Sequence, residues 1–483
     1  MTSTNYSAIV GVVTIDVRKI IKDNTTENSA LINSLANTFM NFDIDRQTLN
    51  DLAIFQNNNS RQSIYGLFNH TDTIGGNEVL QDMFNKPLID PVQIKERLEV
   101  FLYLEEHNIK ISLNRNDYDF VEFYLKKHYH AKPFSAITGF LEKIIYAFKF
   151  NDNDYYVIQT GIESMLPILD SLIKFTDALQ GNLPKKIQEF RSTILNTFQP
   201  EEFAWLKQLI KKSNRSATDT AKADHFFRVL AYERMKILLN IAYQLDVYQS
   251  VSISGEALGF TFPVVSENNG RGLTIEGLFH PFITNPKSND IEFSPDRNVC
   301  FVTGTNMAGK SSLLKSIGIA IYLSQLGFPV PAKSMATSTF RGLITTINLA
   351  DDVEQGHSHF YKEVLRVKHV AEKLNQSKDI FVIFDELFRG TNVKDAYDAS
   401  LAIIAAFAEV KTCFFIVSTH IVEVAHELSS IENINFRYME TIFEDTNPVN
   451  SYKLKQGITE ERLGMWIVKN ERILEIIKNS LKP

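Results

Sequence analysis

Several things are scarce in this 483-residue chain. It has two cysteines, Cys300 and Cys413, and each lies in an apolar run, Val299-Cys300-Phe301-Val302 and Cys413-Phe414-Phe415-Ile416-Val417. Two thiols so placed fit a reducing compartment and exclude a disulfide framework or a cysteine-based zinc site. No uninterrupted apolar run approaches the ~18–20 residues of a membrane span, so no membrane partner is expected. The start, Met1-Thr2-Ser3-Thr4-Asn5, lacks a basic cluster followed by an apolar stretch, so no secretory signal is expected and a cytoplasmic location is. Basic charge is not in excess either. The net charge of -7 argues against a uniformly basic nucleic-acid binder, while leaving a local basic face open. Low-complexity tracts and internal repeats are missing. What is present is 44% hydrophobic and 22% charged residues, the balance of a folded soluble protein, in a chain long enough for about two to four domains.

The chain changes character near its middle. From about Ser60 to Ser250 apolar residues recur at three- and four-residue spacing, as in Val79-Leu80-Gln81-Asp82-Met83-Phe84, Met165 to Ile173 and Met235 to Ile241. Breakers are few (Pro87, Pro91, Pro133, Gly181, Pro184), which predicts long helices with short connections. An earlier stretch, Asn5 to Lys22, is β-like. After Gly255 short β-branched and aromatic runs take over at Thr274-Ile275, Val299 to Thr303, Ile380 to Phe384 and Cys413 to Ser418. Helical patterns separate them at Ser311 to Leu326, Phe360 to Leu374 and Ala396 to Glu409. That alternation predicts a mostly parallel sheet covered on both faces. The boundary falls between Glu256 and Gly272, where Asn268-Asn269-Gly270-Arg271-Gly272 reads as an exposed loop.

Gly304-Thr305-Asn306-Met307-Ala308-Gly309-Lys310-Ser311 fits the phosphate-loop pattern G-x-x-x-x-G-K-[ST], with a strand-like run before it and a helical one after. Glycines let backbone N–H groups close around phosphates, and the helix N-terminus adds partial positive charge. Lys310 is then expected on the β- and γ-phosphates of ATP and the Ser311 hydroxyl on Mg²⁺. A second apolar strand, Ile380 to Phe384, ends in Asp385-Glu386. Beside a phosphate loop, Asp385 is expected in the Mg²⁺ shell and Glu386 as the group that orients and deprotonates the attacking water. A third strand delivers Thr419-His420 at its carboxyl end, where parallel sheets bind ligands, and gives His420 a γ-phosphate-contacting role.

The segment 304–312, Gly-Thr-Asn-Met-Ala-Gly-Lys-Ser-Ser, closely resembles the phosphate loop of the MutS family of DNA mismatch-repair ATPases, within the wider ABC-type group. Further segments fit in the same order: His280-Pro281, Pro331-Ala332, Asp351-Asp352, Gly356-His357-Ser358-His359-Phe360, Arg389-Gly390-Thr391-Asn392, Ser418-Thr419-His420, and Tyr452 to Gly457. Upstream, Thr48-Leu49, Leu52 to Phe55, Ser63 to Asn69, Pro87 to Asp90, Ile94 to Leu98 and Leu245-Asp246-Val247 look like that family's core and lever helices. The resemblance implies a multi-domain α plus α/β chain. An all-helical core and lever region is followed by an ABC-type phosphate-loop ATPase with a mainly parallel sheet. The expected division is an N-terminal segment of open role at 1–45, the core and lever region at 46–260 with a reduced or absent clamp, and the ATPase domain at 261–483.

The resemblance also implies roles. Ser358 stands where the family's signature serine faces the γ-phosphate bound by the other subunit, which makes the ATP site composite and the protein a homodimer. The next residue is His359 rather than the family's threonine. Ser312 completes the phosphate loop, and Phe282 either stacks on adenine or is a plain core phenylalanine. Phe120-Val121-Glu122 imitates the family's Phe-x-Glu mismatch wedge but lies in the helical region, so it reads as chance and the mismatch-reading domain is expected to be missing. DNA is the expected partner, on structures other than those read by that wedge, with a protein partner as the alternative. Candidate contacts are Lys126 to Lys132 and the spread Lys207, Lys211, Lys212, Arg215, Lys222 and Arg228, flanked by Tyr124, Tyr129, Phe226 and Phe227.

Overall fold

The computed structural model describes residues 41–56, 62–127, 152–266, 271–305, 307–347, 359–388, 390–444, 447–459 and 470–479. Asn5 to Lys22, Asn306 and Ser358 lie outside the described residues, as do Tyr129 and most of the basic run ending at Lys132. Among the described residues no helix is long and apolar enough to cross a membrane.

The first half is helical, as its apolar spacing predicts. Its helices begin at residues whose side chains accept from the first-turn N–H groups: Ser63 from Gly66, Thr73 from Gly76, Asp90 from Val92 and Ser216 from Asp219. Two helices of 27 residues, Asp152–Ala178 and Tyr232–Leu258, form its spine. The second is buried on nearly every side. Its Asp246 carboxylate accepts from the Asp72 N–H at 3.0 Å, the Thr73 N–H at 2.9 Å and the Thr73 hydroxyl at 2.6 Å, tying the entry of helix Ile74–Asn85 across 173 residues. Phe120-Val121-Glu122 sits within helix Arg115–Lys126, where Val121 is buried and Glu122 accepts from the Tyr243 hydroxyl at 2.7 Å. These contacts account for that triplet as packing.

The second half holds two sheets. Its strands, with one from the extreme start of the described chain, are β1 (Asp43–Ile44), β2 (Val264–Val265), β3 (Leu273–Leu278), β4 (Asn289–Phe293), β5 (Val299–Thr303), β6 (Ser334–Thr337), β7 (Gly342–Thr346), β8 (Ile380–Asp385), β9 (Phe414–Ser418), β10 (Ile434–Glu444) and β11 (Asn447–Gln456). The large sheet has the order β1-β7-β8-β9-β5-β10-β11 and is parallel except for the hairpin β10–β11. The small sheet runs β2-β6-β3-β4. Period-two alternation splits the central strands between two cores. Cys300, Val302, Phe381, Ile383, Phe414 and Ile416 face the core shared with helix Lys310–Gln325 and the helical half. Val299, Phe301, Val382, Phe384, Phe415 and Val417 face the core under helices His359–Gln376 and Val393–Glu409. Both faces are covered, which is why these strands read as continuous apolar runs.

Two features depart from the simple division of the chain into a helical half and a sheet half. Residues 43–51 lie on the sheet, where β1 pairs with β7, and not in the helical bundle. The C-terminal end of helix Lys310–Gln325 is bolted to the helical half. The Tyr322 hydroxyl donates to the Phe84 carbonyl, the Leu88 N–H to Gln325 O at 2.8 Å, and Arg97 Nη1 to Leu326 O at 2.6 Å. A guanidinium there also meets the negative end of the helix dipole. Phe68, Phe84 and Phe101 close over Phe328 with ring centroids 5.5, 5.6 and 5.8 Å away.

Candidate nucleotide site

Three adjacent parallel strands end level with one another. Asp385 at the end of β8 is opposite Ser418 of β9, and Ser418 is opposite Val302 of β5, one residue before Thr303. The Ser418 hydroxyl donates to Asp385 Oδ1, and the Glu386 N–H donates to Ser418 O at 3.0 Å. The first acidic residue is therefore fixed by its neighbour strand. The second stands on a sharp bend, since Glu386 (φ 58°) and Phe388 (φ 63°) both adopt the left-handed region that non-glycine residues avoid. Leu387 and Phe388 are buried beneath this corner and hold it.

The loop after β5 turns over this edge and feeds helix Lys310–Gln325. Gly309 starts that helix at φ 96°, and a Cβ there would stand 3.1 Å from Tyr452 Cδ1, so the position needs glycine both for conformation and for space. Lys310 is 5% exposed, and its ammonium donates to Gly304 O at 2.8 Å and Thr305 O at 3.0 Å. The Thr305 hydroxyl oxygen is buried without a hydrogen-bond partner, a polar atom prepared for something the loop itself does not supply.

A cavity of about 760 Å³ opens beside the loop. Thr305, Met307, Gly309, Lys310, Ser311 and Ser312 form one wall. Glu386 forms another, and Leu278 to His280, Ile283 to Lys287, Met439 and Tyr452 form most of the remainder. Gly304 and Ala308 back the loop; Ala308 is buried. Outside the loop itself, three sequence-derived residues among those described do not line the cavity. Asp385 lies at the sheet edge behind Glu386, and exposed His420 follows β9 at the same edge, neither lining the cavity. Phe282 packs against the core with its ring 5.9 Å from His280, while Ile283 beside it lines the cavity.

Three residues of this site were given no role from the sequence, although His280 and Tyr452 lie in the resembling segments His280-Pro281 and Tyr452 to Gly457. Tyr452 and Met439 come from the β10–β11 hairpin, which is held over the loop by Asn289 Nδ2 donating to Tyr452 O at 3.0 Å and Asn450 Nδ2 donating to Met307 O at 3.3 Å. The third, His280, is pushed down to about 4 by burial and by Lys315, so its imidazole is neutral at pH 7. Met307, Glu386 and Tyr452, all at positive φ, face the same cavity, and such backbone strain clusters at functional sites. The two cysteines are buried and burial raises both thiols, Cys300 to about 12.

The basic residues proposed for DNA contact are placed differently. Arg228 is buried, pairs with Asp224 through Nε at 2.6 Å, and donates from Nη1 to Lys127 O at 3.1 Å. Lys222 lies over the Trp205 ring and Lys207 over Phe203, at 4.7 and 4.4 Å from the centroids. Lys212 pairs with Asp219, and Arg215 donates to Leu209 O at 3.3 Å. Phe226 and Phe227 are buried, as is Tyr124, whose hydroxyl donates to Asp224 at 2.8 Å.

A parallel sheet covered on both faces, with a strand, a glycine-rich loop and a helix at its carboxyl edge, is the architecture of the phosphate-loop proteins. The helical body bolted to it narrows the class. The family model described as MutS domain III matches residues 47–252, and that of MutS domain V matches residues 300–481. The chain belongs to the MutS family. It is 24% identical to the DNA mismatch repair protein MSH3 of Saccharomyces cerevisiae, over 90% of this chain and 54% of that protein. It is 26% identical to the DNA mismatch repair protein MutS of Petrotoga mobilis, over 60% of this chain and 36% of that protein. The MSH3 of Candida glabrata is 29% identical over 51% of this chain and 25% of its own length. The chain thus spans about half, or less, of the relatives it matches.

Proposed function

We propose that this chain is an ATPase whose nucleotide sits in the cavity between the phosphate loop and Glu386, and that it works on DNA as a homodimer. The observation that carries the reading is the convergence of Lys310, Ser311 and Glu386 on one cavity at the carboxyl edge of the sheet. The residues fit the ligand on two counts. The Thr305 hydroxyl is buried without a hydrogen-bond partner at the cavity wall, and Lys310, which bonds the Gly304 and Thr305 carbonyls, lines the same cavity. One hydroxyl, Ser311, and one carboxylate, Asp385, suit Mg²⁺, which keeps water and substrate phosphates in its shell. When bound there, the ion would offset the negative charge that develops on the triphosphate.

In this mechanism the loop N–H groups and Lys310 bind and orient the triphosphate. Glu386 orients a water against the γ-phosphorus and accepts its proton as the bond to the β-phosphate oxygen breaks. Ser418 holds the Asp385 carboxylate by its hydroxyl and the Glu386 backbone N–H by its carbonyl, so one residue anchors both acidic positions. His420, at the same strand end, contacts the γ-phosphate when the edge closes, and Ser358 of a second copy completes the site. Closure is transmitted to the helical half through the bolted end of helix Lys310–Gln325.

A second reading, an ATP-driven switch on a protein partner, is favoured by the intramolecular engagement of Lys207, Lys222 and Arg228. One experiment separates the two. ATP turnover and ATP-dependent retention are measured with mismatched, homoduplex and four-way DNA, for the wild type and Glu386→Gln. DNA-stimulated turnover in the wild type, lost in the variant, supports the DNA-dependent ATPase. Turnover indifferent to every DNA, with no retention, moves the conclusion to the protein partner. Absence of any turnover overturns the enzyme.

A further inference from the structure

The arm at residues 43–51 joins the large sheet along the outer edge of β7, starting at the end of that strand away from the acidic corner. Asp43 pairs with Gly342 and Ile44 with Leu343, and helix Arg46–Asp51 then carries Thr48 and Asp51 to the far end of β7. There the Thr345 N–H donates to Thr48 Oγ1 at 2.9 Å, the Thr345 hydroxyl to Asp51 Oδ2 at 2.7 Å, and the Ile347 N–H to the same carboxylate oxygen at 2.9 Å. Gln47 Nε2 donates to Asp51 Oδ1 at 2.9 Å. Asp51 is 4% exposed. A carboxylate so buried is tolerated only because it is bonded, and two of its bonds are spent on one strand end. Arg366, on helix His359–Gln376, grips the same end. It donates to Thr345 O at 2.6 Å and to Thr346 Oγ1 at 3.1 Å, and it pairs with the Asp45 carboxylate.

That strand end borders the site. β7 runs beside β8 as far as Thr346 opposite Phe384, one residue before Asp385. The helix that carries Arg366 also sets Phe360 against Phe388, ring centroids 5.6 Å apart, and accepts from the Gly390 N–H on Glu363 at 3.4 Å. The corner Asp385 to Phe388 is therefore enclosed by β9 on one side and by this clamp on the other. Its two left-handed residues need such enclosure, since neither conformation is favourable by itself.

We infer that Asp51, acting with Thr48 and Arg366, is a positioning residue for Asp385 and Glu386: the arm locks the end of β7, and with it the acidic corner, in the geometry that hydrolyses ATP. The inference rests on the reading of Glu386 as the water-orienting carboxylate. The arm continues straight into the helical half, where the Ile64 N–H donates to Ala53 O and the Tyr65 N–H to Ile54 O, both at 2.9 Å. The helical half thereby holds the hydrolysing corner by one route and the phosphate-loop helix by another.

The test is steady-state ATP turnover by the full chain carrying Asp51→Ala, Asp51→Asn or Thr345→Val, with thermal unfolding measured on each. Misplacing reacting groups lowers kcat, whereas the loop that binds the phosphates keeps its own bonds. Asp51→Ala is therefore expected to lower kcat about tenfold or more, with KM for ATP within about twofold of the wild type. Asp51→Asn can keep its oxygen on the Thr345 hydroxyl and the Ile347 N–H but sets its N–H₂ against the Gln47 amide, so its kcat falls between the wild type and Asp51→Ala. Thr345→Val removes a single hydroxyl and gives the reading if Asp51→Ala does not fold. Unchanged kcat in a folded Asp51→Ala or Thr345→Val chain overturns the inference, and so does a raised KM at constant kcat. A wild type without turnover removes the reading beneath it, and that is seen before any variant is compared.

Discussion

In the helical half Arg228 is buried against Asp224, Lys222 and Lys207 lie over aromatic rings, and Lys212 is paired with Asp219. At the carboxyl edge of the sheet Lys310 is also buried, but its bonds are to two loop carbonyls, and it faces a cavity with Ser311 and Glu386. Both regions bury cations. The difference is in what satisfies them. A guanidinium bonded through Nε and Nη to a carboxylate is a finished structural pair. The Lys310 ammonium bonds two neutral carbonyls at the wall of a cavity, and under the proposed function phosphate oxygens enter that cavity beside it. Charge type along the sequence did not distinguish these cases; the partners did.

Breaking each side of this contrast gives a graded set of outcomes. The largest effect belongs to Glu386→Gln, which removes the carboxylate proposed to activate water and is expected to lower ATP turnover by about a hundredfold or more while ATP binding, followed by a fluorescent analogue, is retained. Next is Asp224→Ala, which leaves the buried Arg228 uncompensated and costs about 3–5 kcal/mol in urea unfolding, with little effect on nucleotide affinity once the chain is folded. Gly309→Ala places a Cβ at φ 96° and against Tyr452, and it is expected to cost about 1–2 kcal/mol and to weaken ATP binding, both read by thermal shift with and without ATP.

A fourth outcome concerns pH. The folded imidazole of His280 is held at about 4, below its ordinary value. Between its ordinary value and that depressed one the unfolded chain binds a proton that the native chain does not, so this residue's contribution is full above the ordinary histidine range and is lost as pH falls towards 4. Thermal unfolding followed from pH 7 to pH 4 should show that loss, and His280→Asn should remove part of the slope. The smallest effect is expected for Lys212→Ala. Its pair with Asp219 is half exposed, and urea unfolding should change by less than about 1 kcal/mol.

Much of the sheet half was legible because its signals are local. Val299 to Thr303 reads as a strand and is one, since a fully buried parallel strand needs an unbroken apolar run. The helix expected from Ser311 runs from Lys310, and the two carboxylates stand at the end of β8 as their position after an apolar run predicts. The hairpin β10–β11 was not legible. Its strands mix Arg437, Tyr438, Glu440, Ser451, Lys453 and Lys455 with the apolar residues, because the hairpin extends beyond the covered part of the sheet. Met439 was missed with it, and Tyr452, which begins the resembling segment Tyr452 to Gly457, was given no role in the site. Arg228 was read as a surface cation because its partner, Asp224, is one helical turn away and nothing in the spacing says which way that turn faces. Phe282 and Ile283 are neighbours whose side chains go to different places, and only packing tells which one meets the cavity.

By itself the sequence determined the glycine-rich loop between strand and helix, the pair of acidic residues, and the change from helical to alternating pattern, because each rests on residue types within one element. The tertiary structure alone decided that residues 43–51 join the large sheet, that Asp51 fastens the end of β7, and that Arg97 caps the phosphate-loop helix from the helical half. These contacts join residues hundreds of positions apart through single hydrogen bonds. A buried polar group must find its partner wherever the fold brings one, and no periodicity along the chain records where that is.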